Sequence, residues 1–162
     1  MKFDDAAIPL GGTWSSPFVR WQGSLAETSS LDLAVSVTAD ALAARSLDPR
    51  GFTQLVMGLT IPQNDSFYAV PWTASRLGAE GITGPLIAQA CATSVACLAS
   101  AAASVEADAG ERVLVIATDR TSNGPLLVYP RARAPAGAPQ IENWVLDNFA
   151  ADPWTGDAMV VT

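Results

Sequence analysis

The chain has 162 residues, with 9 Lys and Arg against 16 Asp and Glu, no His, and a net charge of -7. With 49% hydrophobic and 15% charged residues, it is long and apolar enough for one domain with a real core, and unlike a disordered chain. The acidic balance opposes a phosphate backbone, so no nucleic-acid partner is expected. Without His, neither a Ser-His-Asp triad, a Cys-His dyad nor a His-ligated zinc can be completed inside the chain, and no metal is expected.

The predicted elements alternate. Residues 6–10 are a short apolar run stopped by Gly11 and Gly12, and read as a first strand. Residues 13–24 carry Trp14, Pro17, Trp21 and Gly23 and read as a loop. Ser29 or Ser30 can cap a helix over 31–45, whose Leu31, Val35, Thr38 and Leu42 fall at helical spacing. Pro49 and Gly51 end that unit. Residues 55–59 read as a buried strand closed by Pro62. Residues 66–77 look helical, with Pro71 near the start and Gly78 as terminator.

Residues 85–90 predict another buried strand, followed by an Ala-rich helix over 93–107. Residues 113–117, Val-Leu-Val-Ile-Ala, are apolar throughout, as a parallel strand buried on both faces should be. Strands alternating with helices predict an α/β layered fold with a mostly parallel sheet. Residues 126–139, with Pro130, Pro135, Gly137, Pro139, Arg131 and Arg133, read as an irregular excursion. Residues 141–149 predict a short amphipathic helix.

The start, Met-Lys-Phe-Asp-Asp, meets polar residues and Pro9 too soon for a signal peptide. The most apolar region, 87–105, is interrupted by Gln89, Thr93, Ser94, Ser100 and Ser104, so no membrane span is expected. Cys91 and Cys97 are neither a disulfide framework nor a zinc knuckle, and suit a reducing, cytoplasmic setting.

Cys91 carries the chemistry. It falls where a predicted strand meets a predicted helix, whose N-terminal N–H groups and partial positive charge favour a thiolate. A thiol on such a turn is displayed as a nucleophile; on spacing alone, a small buried apolar residue fits equally. Cys97, amid Val95, Ala96 and Leu98, reads as core packing. The five tryptophans read as core or interface packing rather than ligand stacking.

Gln89-Ala90-Cys91-Ala92-Thr93-Ser94, preceded by Ile82-Thr83-Gly84-Pro85 and followed by an Ala-rich helix, resembles the nucleophile segment of thiolases. The resemblance extends along the chain. It takes in Pro17-Phe18, Gly23 to Glu27, Gly58-Leu59-Thr60, and residues 113–117 with Asp119 to Asn123. It ends at Gly156-Asp157-Ala158-Met159 and Thr162. It implies a thiolase-like α-β-α layered fold, with residues 1–122 as the N-terminal core domain and 123–162 as the start of a truncated loop domain.

The resemblance also implies an acyltransferase of the acetyl-CoA acetyltransferase type. Cys91 is then the catalytic nucleophile that accepts an acyl group from acyl-CoA. Coenzyme A or acyl-CoA is substrate, and no cofactor is tightly bound. Met159 resembles a family methionine lining the acyl and pantetheine pocket; as ordinary packing it would be a core methionine. Arg131 and Arg133 could meet the phosphates of coenzyme A, although solubilising loop charges is the reading they favour. The family's two His and second Cys lie in a later half. The chain is therefore expected to be the front part of a longer protein, or a subunit completed by another chain, and inactive alone. A homo-oligomer, dimer or tetramer, is expected from the same resemblance.

Three departures stand out. Ala92-Thr93-Ser94 replaces a stretch in which the family usually carries Gly. Ala117-Thr118-Asp119 stands where the family has a Gly-Gly turn, and Ala158 replaces a bulkier polar residue. The alternatives are a β-ketoacyl synthase, whose nucleophile segment is close to Cys91-Ala-Thr-Ser94, and a non-catalytic thiolase-like acyl-CoA-binding or scaffold subunit.

Overall fold

A computed structural model describes residues 2–131 and 137–161. The Ser29 hydroxyl accepts the Leu31 N–H at 3.2 Å and starts helix α1, Ser30–Ala44. Strand β1, Gln54–Gly58, follows. A 3-10 turn at Ser66–Tyr68 leads into α2, Ala69–Arg76. Pro71 is tolerated there because it lies in the first turn, where N–H groups have no helical acceptor. Gly78 ends α2 in the left-handed region at φ +76°. Then come β2, Leu86–Ile87, a 3-10 turn at Ala90–Ala92, α3, Thr93–Ala107, and β3, Val113–Ala117.

Among the described residues the main sheet has three parallel strands in the order β2-β1-β3. Leu55, Met57, Leu114 and Ile116 point to one face and form a core with Leu31, Val35, Val70 and Ala74 of α1 and α2. Val56 points to the other face and packs with Cys97 and Ala101 of α3, beside Ile87, Val113 and Val115. Helices on both faces of a parallel sheet make the fold α/β in three α-β-α layers. Each fully buried Leu or Met in such a core contributes about 1.5–3 kcal/mol.

Several elements differ from expectation. Residues 6–10 form no strand. Ile8 and Leu10 are exposed, and the N–H groups of Asp5 and Ala6 donate to Glu106 Oε1 at 2.7 and 2.8 Å instead of to a neighbouring strand. The strand expected over 85–90 pairs only at Leu86 and Ile87, because the chain then bends into the turn that carries Cys91. Among the described residues, the excursion expected after Asn123 contains regular structure. Leu126–Tyr129 (β4) and Gln140–Asn143 (β5) pair antiparallel as a second, two-stranded sheet. The helix expected over 141–149 therefore shrinks to α4, Leu146–Ala150, since 141–143 are committed to β5.

Ala90–Ala107 has the length and mean hydropathy, 1.4, of a membrane span, contrary to expectation, and 17% of it is buried. Here it is the 3-10 turn plus α3, whose inner face lies on the sheet. The outer face keeps Val95 and Leu98 exposed. Arg133, Pro135 and Thr162, singled out in the sequence, lie outside the described residues.

Candidate active site

Parallel pairing fixes where the site falls. Gly58 pairs with both Ile87 and Ala117, so the three strands end together at one edge. Ligands of open α/β sheets bind in the crevice outside the carboxyl ends of such strands. The turn after β2, the start of α3 and the exit of β3 meet here around an open concavity of about 250 Å³. It is lined by Ala90, Cys91, Thr93, Ser94, Ala117, Thr118 and Asp119.

Cys91 is an exposed free thiol at this concavity. It stands in the 3-10 turn just before α3, as the sequence suggested, and not in the core. Ala90 beside it has φ +46°, a left-handed conformation that costs a residue with a Cβ about 1–3 kcal/mol. The surroundings hold it there. Thr93, 5% exposed, donates its hydroxyl to the Ala90 carbonyl at 2.7 Å and accepts the Gln89 N–H at 2.8 Å. Thr60 Oγ1 lies 2.8 Å from Thr93 Oγ1. The N-cap residue of α3, Ala92, offers no side-chain acceptor, so the positive end of that helix faces the turn uncapped.

Gly58 lets β1 approach α3 closely. A Cβ on it would meet Thr93 Cγ2 at 2.7 Å and Cys97 Sγ at 2.8 Å. Cys97 is fully buried against the sheet, and burial pushes its thiol pKa up. It packs, as the sequence indicated.

Asp119, first charged residue after β3, reaches back to the exit of β1. Its Oδ1 accepts the N–H groups of Thr60 at 3.0 Å and Ile61 at 2.8 Å. The residue as a whole is exposed, but its carboxylate is turned inward. Desolvation raises its pKa, outweighing the lowering by those N–H groups. Sequence reasoning placed Thr93 in the nucleophile segment and noted Asp119 as a departure, but gave neither of them, nor Thr60, a part in holding this site. The one available signal was a carboxylate two residues after an apolar strand.

The exit of β3 also organises the early loop. Thr118 donates to the Ser30 carbonyl at 2.9 Å, Arg120 to the Thr28 carbonyl at 3.1 Å, and Asn123 to the Ala26 carbonyl at 3.2 Å. Ser122 Oγ accepts the Gln22 N–H at 2.7 Å. The segments 22–30 and 118–123, distant in sequence, are thus one structural unit.

Met159 is half-exposed, with its N–H on the Phe149 carbonyl at 3.3 Å, and does not line the concavity at Cys91. Arg131 is exposed after β4. Among the tryptophans, Trp14 and Trp72 pack on the core beneath Arg45 and Arg76, while Trp21 and Trp154 are exposed. A larger concavity, about 730 Å³, is lined by Gln63, Asp65, Ser66, Phe67, Tyr68 and Trp72. It holds no nucleophilic thiol and shares no residue with the first. No cluster of metal-ligating side chains occurs among the described residues.

The parallel sheet between helical layers, with a cysteine on the turn into an Ala-rich helix, shares the fold of solved thiolases. An acetyl-CoA acetyltransferase from Syntrophomonas wolfei superposes with a TM-score of 0.76 at 21% identity, over 90% of this chain and 37% of its own. One from Bacillus anthracis gives 0.73 at 22% identity, over 86% and 36%. A thiolase from Ascaris suum, in complex with coenzyme A, gives 0.66 at 19% identity, over 76% and 32%. The chain spans about a third of the length of these structures. No protein-family model and no curated protein matches the sequence.

Proposed function

We propose that the chain carries the nucleophile of a thiolase-type acyltransferase. The observation behind this reading is the exposed Cys91 on a strained turn at the carboxyl edge of a thiolase-like sheet. The Cys91 thiolate attacks the acyl carbonyl of an acyl-CoA. A new S–C bond forms, the thioester C–S bond breaks, and coenzyme A leaves as its thiolate, to be protonated. Coenzyme A, or the deprotonated α-carbon of a second acyl-CoA, then takes the acyl group from Cys91. Backbone N–H groups at the turn, including that of Cys91, would receive the oxyanion, and the uncapped positive end of α3 favours charge developing there.

The chain has no His, and Cys97 is buried with its thiol pKa raised. The proton-transfer groups therefore come from outside these 162 residues, in a larger architecture or a complementary chain that also covers the outer face of α3. The span of about a third of each matching structure supports this, as do the exposed Val95 and Leu98. In that architecture Met159 lines the acyl pocket, residues 123–162 begin a loop domain, and the assembly is a homo-oligomer. Two free thiols fit a reducing, cytoplasmic setting.

The test is incubation of the full-length protein with acetyl-CoA, followed by intact-mass and peptide analysis. One acetyl group on Cys91, lost in Cys91→Ala, is the expected result. Acylation only by an acyl carrier protein would assign a β-ketoacyl synthase instead. No acylation by either would leave a non-catalytic scaffold.

A further inference from the structure

Asp119 ends a chain of hydrogen bonds that leads to the backbone of the Cys91 turn. Its carboxylate accepts the Thr60 and Ile61 N–H groups. The Thr60 hydroxyl lies 2.8 Å from Thr93 Oγ1 and donates to the Ala90 carbonyl at 3.4 Å. Thr93 in turn holds Gln89 and Ala90, the two residues before Cys91. Asp119 and Cys91 line the same concavity. The strained φ of Ala90 persists only if its surroundings over-determine it. A carboxylate acceptor is a strong anchor for such a chain.

We infer that Asp119 is a positioning residue: through Thr60 and Thr93 it sets the conformation of the turn that displays Cys91. The inference rests on Cys91 being the nucleophile. Without Asp119, the loop after β1 loses its clamp, Thr60 no longer presses on Thr93, and the Cys91 turn relaxes away from the end of α3.

The experiment measures the rate at which iodoacetamide alkylates Cys91 in the full-length protein and its variants, with labelling of buried Cys97 as the monitor of folding. Asp119→Ala should slow Cys91 alkylation about fivefold. Asp119→Asn keeps one carbonyl oxygen for the two N–H groups and should stay within about twofold of wild type. Thr60→Val cuts the same chain further along, so it should also slow Cys91, and combining it with Asp119→Ala should add little. Wild-type alkylation rates in Asp119→Ala, or strictly additive effects in the double variant, would overturn the inference. If Asp119→Ala exposes Cys97, the Thr60→Val rate decides. Acetylation of wild type by acetyl-CoA is measured in parallel: its failure removes the acyltransferase reading, while the alkylation series still judges Asp119.

Discussion

Gly58 lies beneath Thr93, so close that any β-carbon at position 58 would stand 2.7 Å from Thr93 Cγ2. The last residue of the central strand thus sets the height of the helix that follows Cys91. Gly58→Ala must push α3 off the sheet or unseat Cys97, whose Sγ would be 2.8 Å away. Overpacking of this kind costs about 1–3 kcal/mol. Urea denaturation should show a lower midpoint, and an unchanged midpoint would refute the close approach.

Thr93 is fixed by its hydroxyl more than by its methyl group. Thr93→Val keeps the shape but strands the Gln89 N–H and takes one donor from the Ala90 carbonyl, at a cost of about 1–3 kcal/mol. Thr93→Ser keeps both bonds and should lose much less. Thermal denaturation of the two variants compares them directly; equal losses would mean that packing, not hydrogen bonding, holds the turn.

The two cysteines should behave as opposites. Cys91 is exposed, whereas Cys97 is buried with its thiol pKa pushed up by desolvation. Native protein treated with iodoacetamide should carry the label at Cys91, and Cys97 should react only when urea unfolds the chain. Comparable slow labelling of both would contradict the placement of Cys91.

Asp119 makes stability depend on pH in an uncommon sense. Its folded pKa is raised, so between the ordinary Asp value and the raised one the native state binds more protons than the unfolded chain. Stability therefore falls as pH climbs through that window, and the cost is complete above it. Asp119→Asn should flatten this segment of a stability-against-pH curve measured by urea midpoints. An unchanged slope would show that the carboxylate is not desolvated.

Glu106 works in the opposite direction. The N–H groups of Ala6 and Asp5 hold its pKa below the ordinary value. The anchor is present above the ordinary Glu value and is lost as pH falls through the lowered one. Protection of the Asp5 and Ala6 amides in hydrogen exchange should drop over that acid range, and should drop at all pH values in Glu106→Ala.

The helices and central strands were legible because their signals are local. Ser29 caps α1 by an i to i+2 hydroxyl bond, and α3 spans the residues that its Ala-rich composition marked. β1 and β3 lie on apolar runs, with Leu55 to Gly58, Leu114 and Ile116 buried between layers. Residues 6–10 misled for the same reason: an apolar run forms a strand only with a neighbour to pair with, and here Glu106 took the N–H groups. The β4-β5 pairing escaped notice because Pro and Gly around it signal irregular chain, while the ladder from Leu126–Asn143 to Tyr129–Gln140 joins residues on either side of them.

The sequence by itself determined the alternation of elements, the place of Cys91 at the entrance of α3, and its likeness to a thiolase nucleophile segment. All of these depend on residues near one another in the chain. Only the tertiary structure decided what holds that turn. Asp119 meets Thr60 and Ile61 because parallel pairing aligns Gly58 with Ala117, and Thr60 meets Thr93 because Gly58 lets α3 settle close. Such contacts join residues roughly 30 to 60 positions apart, and no local pattern encodes a partner that the sheet alone brings within reach.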